Sequence, residues 1–119
     1  MMQSTCEVNV RRLPGTVVLE LTGELNSAAS GVLAPSYDDA IKQGDPGTVV
    51  IDFTNVGYIN STGIALVVGV LARARAESRT LIAVGLNEHY REIFTITRLS
   101  DYMEMYADVG EAIGDPAGA

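Results

Sequence analysis

Apolar and polar positions change their period several times along the chain, and each change predicts an element. Glu7 to Arg11 sets Val8 and Val10 between polar neighbours, the period-two pattern of a half-buried strand. Leu13-Pro14-Gly15-Thr16 follows, with Pro and Gly in the central positions that a type II turn favours. Val17 to Thr22 then gives a second strand, so the chain opens with a β-hairpin. Gly23-Glu24-Leu25-Asn26-Ser27 breaks that strand and offers two helix caps. Leu33, Tyr37 and Ile41 share a helical face, while Gly31 and Pro35 allow only a late start or a kinked first turn. Gly44-Asp45-Pro46-Gly47 is a stop and a turn.

The second half is more apolar. Thr48 to Phe53 is continuous except for Asp52, the pattern of a central strand covered on both faces. A short loop and a helix from about Thr62 to Glu77 follow. In that helix Ala65, Gly69, Ala72 and Ala76 form a stripe of small residues expected to let it lie close to the sheet. Leu81 to Val84 reads as a strand closed by Gly85, and Asn87 caps a helix with Tyr90, Ile93, Phe94 and Thr97 on one face. Tyr102 to Ala107 alternates as a last strand. Asp108 and Glu111 have capping-box spacing for a short final helix, and Gly114 to Ala119 are expected to fray. Strands alternating with helices imply right-handed crossovers. The expected fold is one α/β domain spanning 1–119, with its core at about 6–113. Its five-stranded sheet is mixed but mostly parallel, with about four helices.

Composition narrows the function. At 119 residues the chain suits one domain, and 47% apolar content suits a packed core. Fifteen acidic residues against eight basic ones give a net charge of −7, which opposes binding to nucleic acid or to anionic lipid. Arg73, Arg75 and Arg79 are the nearest thing to a basic group, and they read as a solvated helix end. Cys6 is the single cysteine, so neither an intrachain disulfide nor a cysteine-based zinc site is expected. The start lacks a signal-peptide pattern, and the longest apolar run, Gly63 to Ala72, is half of the roughly 20 residues a membrane span needs. A cytoplasmic protein is expected.

Little remains that can do chemistry. Ser61 and Thr62 stand at the mouth of the apolar helix, where unpaired N–H groups and the positive dipole end welcome a phosphate. On local chemistry alone the pair reads as a plain cap. His89 and Glu92 have helical spacing but no second histidine, and read as solvated residues. Asp52 resembles a receiver phosphoaspartate, yet Asp38-Asp39 falls in a helix and the only lysine, Lys42, follows it. Asp52 therefore reads as structural, bonded to loop backbone. Phosphate-loop and dinucleotide glycine patterns are missing. Tyr90, Phe94, Tyr102 and Tyr106 fit a core face or a rim, with Phe94 in the core.

The string Val50-Ile51-Asp52-Phe53, then Tyr58-Ile59-Asn60-Ser61-Thr62-Gly63-Ile64, resembles the central signature of STAS domains, in particular bacterial anti-sigma factor antagonists. The resemblance extends to Leu21-Thr22-Gly23-Glu24-Leu25-Asn26, to Gly85-Leu86 and to the element order from about Val8 to Ile113. It implies that Ser61 is the residue a partner serine kinase phosphorylates. Thr62 is then its structural neighbour and cap, and Gly63 leaves space beside the hydroxyl or serves tight packing. The family usually has aspartate where Asn60 stands, and often where Asn26 stands. Both changes remove negative charge beside the acceptor while keeping hydrogen-bonding capacity.

What the resemblance implies is a regulatory interaction module, not an enzyme, with no cofactor and no metal. Its partners are an anti-sigma factor with serine kinase activity and a phosphatase that resets it; a homodimer is left open. The alternative is a non-phosphorylated STAS subunit, a stressosome scaffold or an accessory subunit of a lipid-transport complex, with Ser61 serving only as a cap. A receiver-like phosphoaspartate protein ranks third.

Overall fold

A computed structural model of the chain describes residues 5–114. Five strands form one sheet in the order β1-β2-β3-β4-β5: β1 Cys6–Leu13, β2 Thr16–Leu25, β3 Thr48–Ile59, β4 Thr80–Val84 and β5 Glu104–Tyr106. β1 is antiparallel to β2 and every other pair is parallel, as the opening hairpin and the crossovers require. Gly15 holds the hairpin turn at φ +70°. The helices are α1 Leu33–Lys42, α2 Ser61–Ala76, α3 Glu88–Ile96 and α4 Val109–Ile113, with 3-10 turns at Ser27–Ala29 and Leu99–Asp101. The expected fold class stands. Of the tail expected to fray, 115–119 lie outside the described residues; Gly114 closes α4 in a left-handed conformation.

Period-two alternation divides the sheet between two clusters. Val17, Leu19, Leu21, Val49, Ile51, Phe53, Leu81 and Ala83 point to the face covered by α1, α2 and α3, where Leu33, Tyr37, Val67, Ala74 and Phe94 are fully buried. Val18, Val50, Ile82 and Val84 point the other way, onto Val109 of α4. Burying one such side chain contributes about 1.5–3 kcal/mol, so the larger cluster carries most of the stability. Asp52 faces the smaller side. Its Oδ1 accepts from Thr54 N at 2.9 Å and from Thr54 Oγ1 at 2.6 Å, the structural role expected of it, although Thr54 belongs to the strand and not to a loop.

Several boundaries differ from the expectation. β2 does not stop at Thr22 and β3 does not stop at Phe53: they stay paired to Leu25 and Ile59 through two bulges, each adding one residue to β3. Past Asp52, β3 has lost its β4 neighbour, its exposed positions are Thr54, Asn55, Gly57 and Tyr58, and the alternation fades. β5 is only three residues long, and Tyr102 is an exposed residue stacked on the Arg75 guanidinium at 4.8 Å. The stripe of Ala65, Gly69, Ala72 and Ala76 faces solvent, and α2 lies on the sheet through Gly63, Val67, Val70, Leu71 and Ala74 instead. Spacing marked the stripe but not its direction.

Arg73 and Arg75 stand in the last turn of α2, with Arg75 exposed as expected, but Arg79 does not belong to a solvated end. Arg79 is largely buried beyond α2, pairing with Glu77 at 3.0 Å and Asp45 at 2.8 Å, and Arg73 pairs with Asp38 and Glu77. Tyr37 Oη donates to Glu77 Oε1 at 2.8 Å, so α1, the end of α2 and the Asp45 turn close into one network. The Tyr37 bond and the arginines hold the Glu77 carboxyl below its ordinary value of 4.5. Burial and that same bond push Tyr37 up to about 12 from 10.0.

The stabilisation from Glu77 is present above pH 4.5 and is lost as pH falls through its lower folded value. The Tyr37 contribution is present below pH 10 and is lost as pH rises through about 12. Urea midpoints measured against pH are expected to decline at both limits. Glu77→Gln should lower the neutral-pH midpoint and flatten the acid limb; an unchanged acid limb would remove Glu77 from this account.

Candidate functional site

The site forms where β2 and β3 end side by side, at the paired residues Leu25 and Ile59. The next residue on each strand is an asparagine. Asn26 Oδ1 accepts from Ala28 N at 2.9 Å and caps the Ser27–Ala29 turn. Asn60, in extended backbone at φ −102°, caps α2 by accepting from Gly63 N at 2.9 Å. The cap is therefore neither Ser61 nor Thr62. Three potential capping residues stand in a row, and the one that wins is the residue still in strand conformation when the chain leaves β3.

This releases both hydroxyls. Ser61 and Thr62 are the first two residues of α2 and are exposed, and neither side chain bonds to another described residue. Gly63 is buried, and a Cβ added there would lie 1.9 Å from the Leu25 carbonyl oxygen. The same oxygen accepts from Asn60 N at 3.2 Å. Tight packing thus accounts for Gly63, which lies beneath the hydroxyl pair rather than on the open surface.

The electrostatics favour an anion. The first turn of α2 has no acidic residue, and its Ser61 and Thr62 N–H groups have no intrahelical acceptor. The titrating groups of Tyr37, Glu77, Arg73 and Arg79, whose pKa values are displaced, cluster about 24 Å away, at the far end of a 16-residue helix rising 1.5 Å per residue. That cluster is a structural network and not a reactive centre. His89 and Glu92 are both exposed on α3. Among the described residues, no three His, Cys, Asp or Glu side chains gather as a metal site requires.

Two contributors were not legible in the sequence. Leu25 acts through its carbonyl, which carries no side-chain signature. Tyr90, expected on a core face or rim, is buried on α3 and accepts from Ile59 N through its hydroxyl at 3.0 Å. No periodicity distinguishes that tyrosine from a phenylalanine.

Gly63→Ala is expected to destabilise the protein by about 1–3 kcal/mol in urea unfolding, because the methyl forces α2 away from β2. Asn60→Ala should cost about 1 kcal/mol, while Asn60→Asp keeps the cap and should cost far less. A neutral Gly63→Ala would refute the close-packing assignment.

Residues 7–112 match the STAS domain family. The anti-sigma-B factor antagonist of Listeria monocytogenes serovar 1/2a is 36% identical over 87 residues, covering 71% of this chain and 76% of the relative. Bacillus SpoIIAA, solved in its phosphorylated form, is 27% identical with a TM-score of 0.71, over 90% of this chain and 96% of that one. An anti-sigma factor antagonist from Mycobacterium paratuberculosis superimposes with a TM-score of 0.79 over 92% of each chain at 18% identity, a likeness of fold alone. Sheet order, the strand-to-helix site and these matches agree: the chain belongs to the STAS domain family.

Proposed function

We propose that this protein is an anti-sigma factor antagonist switched by phosphorylation of Ser61, working in the cytoplasm as an interaction module and not as an enzyme. The observation that carries the reading is the Ser61 hydroxyl itself. It is exposed at the first position of α2 and has no capping duty, because Asn60 performs it. Its relatives support the same reading, since the Listeria protein is an anti-sigma-B factor antagonist and SpoIIAA exists in a phosphorylated form. Residues 5–114 contain no helix long and apolar enough to cross a membrane.

The partner is an anti-sigma factor with serine kinase activity. Unmodified, the Ser61 end of α2 docks on it, and the sigma factor is released. The exposed side of α2 continues from Ser61 through Ala65, Gly69 and Ala72, small residues that permit close approach. The kinase then transfers the γ-phosphoryl group of ATP to Ser61 Oγ, which loses its proton, and ADP leaves. The new group carries about −1.5 to −2 charge and sits in an interface built for a neutral hydroxyl. Each 1.4 kcal/mol of repulsion and desolvation weakens binding tenfold, so one modification is enough to release the partner.

Within the phosphorylated chain the charge is tolerated. The Ser61 and Thr62 N–H groups can donate to phosphoryl oxygens, and Asn60 and Asn26 place neutral amides where an aspartate would repel. A phosphatase restores the hydroxyl.

With the kinase partner purified, Ser61→Ala should bind within a few-fold of the unmodified protein, and Ser61→Asp at least about tenfold more weakly. Equal affinity of Ser61→Asp and the wild type, by calorimetry, contradicts the switch. Phosphorylated Asn60→Asp should melt below phosphorylated wild type; the reverse order would overturn the role given to Asn60.

A further inference from the structure

We infer that Tyr90 is the positioning residue of the Ser61 acceptor, an assignment that rests on Ser61 being the phosphorylated residue. Backbone N–H groups in a strand alternate between its two sides. At the end of β3 the Asn60 N–H points to β2 and bonds to the Leu25 carbonyl at 3.2 Å. The Ile59 N–H points to the opposite side, where β4 would continue. β4 is gone by then: its pairing ends at Asp52 with Val84, and Gly85 turns the chain away at φ +76°.

Ile59 is buried, so its N–H has no recourse to water. Tyr90 Oη fills the place of the missing strand, accepting that N–H at 3.0 Å. Tyr90 is itself fixed, since only 8% of it is exposed and its backbone N–H is held by the Asn87 cap at 2.9 Å. A cleft of about 80 Å³ bounded by Phe53, Ile59, Gly85 and Tyr90 lies alongside, giving Ile59 room to turn if the bond is lost. The junction two residues before Ser61 is thus held from both sides, by Leu25 and by Tyr90.

Phosphoryl transfer depends chiefly on how the acceptor oxygen is placed, and small misplacements slow it steeply. Tyr90 therefore acts on the transfer step, not on partner affinity. Tyr37→Phe is the matched control, because it deletes a tyrosine hydroxyl bond at the opposite end of α2.

The test follows initial rates of Ser61 phosphorylation in the full chain, with ATP and source-cell extract supplying the kinase, as chain concentration is varied. Tyr90→Phe should lower the saturating rate about fivefold or more while the half-saturating concentration stays within about twofold. Its Ile59 amide should also exchange faster with solvent. Tyr37→Phe should lower the melting temperature yet keep the wild-type rate. If Tyr90→Phe matches wild type, or Tyr37→Phe slows transfer as much, the positioning role is wrong and the Ser61 reading stands. If wild-type Ser61 takes up no phosphate, both fall together.

Discussion

The carbonyl oxygen of Leu25 is shared between a strand ladder and a helix, and the candidate site takes its geometry from that sharing. On one side it receives the Asn60 N–H, keeping β3 paired to β2 until the chain turns. On the other it lies so close to Gly63 that no side chain fits between them. Any larger residue would lift the start of α2 from the sheet, and the Asn60 cap would lose its register with Gly63 N. Because α2 is pinned there, its first two residues point outward and its apolar side, from Val67 to Ala74, reaches the core. The outward stripe of small residues is the other face of the same constraint.

The two ends of α2 do different work. At the C-terminal end, Tyr37, Asp38, Asp45, Arg73, Glu77 and Arg79 interlock charges between two helices and a turn, which lowers the Glu77 pKa and raises that of Tyr37. At the N-terminal end the helix has no acid in its first turn, and its capping groups are amides. Under the proposed switch, a phosphoryl group arriving at that end would be the dominant local charge. It would change what the surface can dock against while the distant network keeps the helix in place. Stability and switching would then be separated by the length of one helix.

Much of this was legible in the sequence wherever periodicity or a capping pattern carried it. The hairpin, the apolar β3, the Asn87 cap on α3 and the Asp108–Glu111 start of α4 all followed from residue type and spacing. Asp108 indeed accepts from Glu111 N at 2.8 Å, although the Glu111 side chain accepts from Ala107 N rather than from its own cap. Failures came where tertiary pairing overrode local pattern. The last residues of β2 and β3 are strand because they pair with each other, not because they alternate. Asn60 outcompetes Ser61 for the cap because β3 continues up to it, and the apolar pattern that stops at Phe53 hides that continuation. Arg79 looked solvated because its partner Asp45 lies in a turn 34 residues earlier. Ser61 and its neighbours Asn60 and Gly63 were readable, then, but the Leu25 carbonyl and the Tyr90 hydroxyl that hold the junction were not.

The proposed switch requires that the Ser61 hydroxyl oxygen be the one that receives phosphate. The direct measurement incubates the full chain with ATP and source-cell extract, then locates every modified residue by tandem mass spectrometry. Phosphate on Ser61, stable to acid and lost in Ser61→Ala, is the predicted result. A base-labile and acid-labile acyl phosphate on Asp52, or a chain left unmodified while its kinase partner is bound and active, would contradict it.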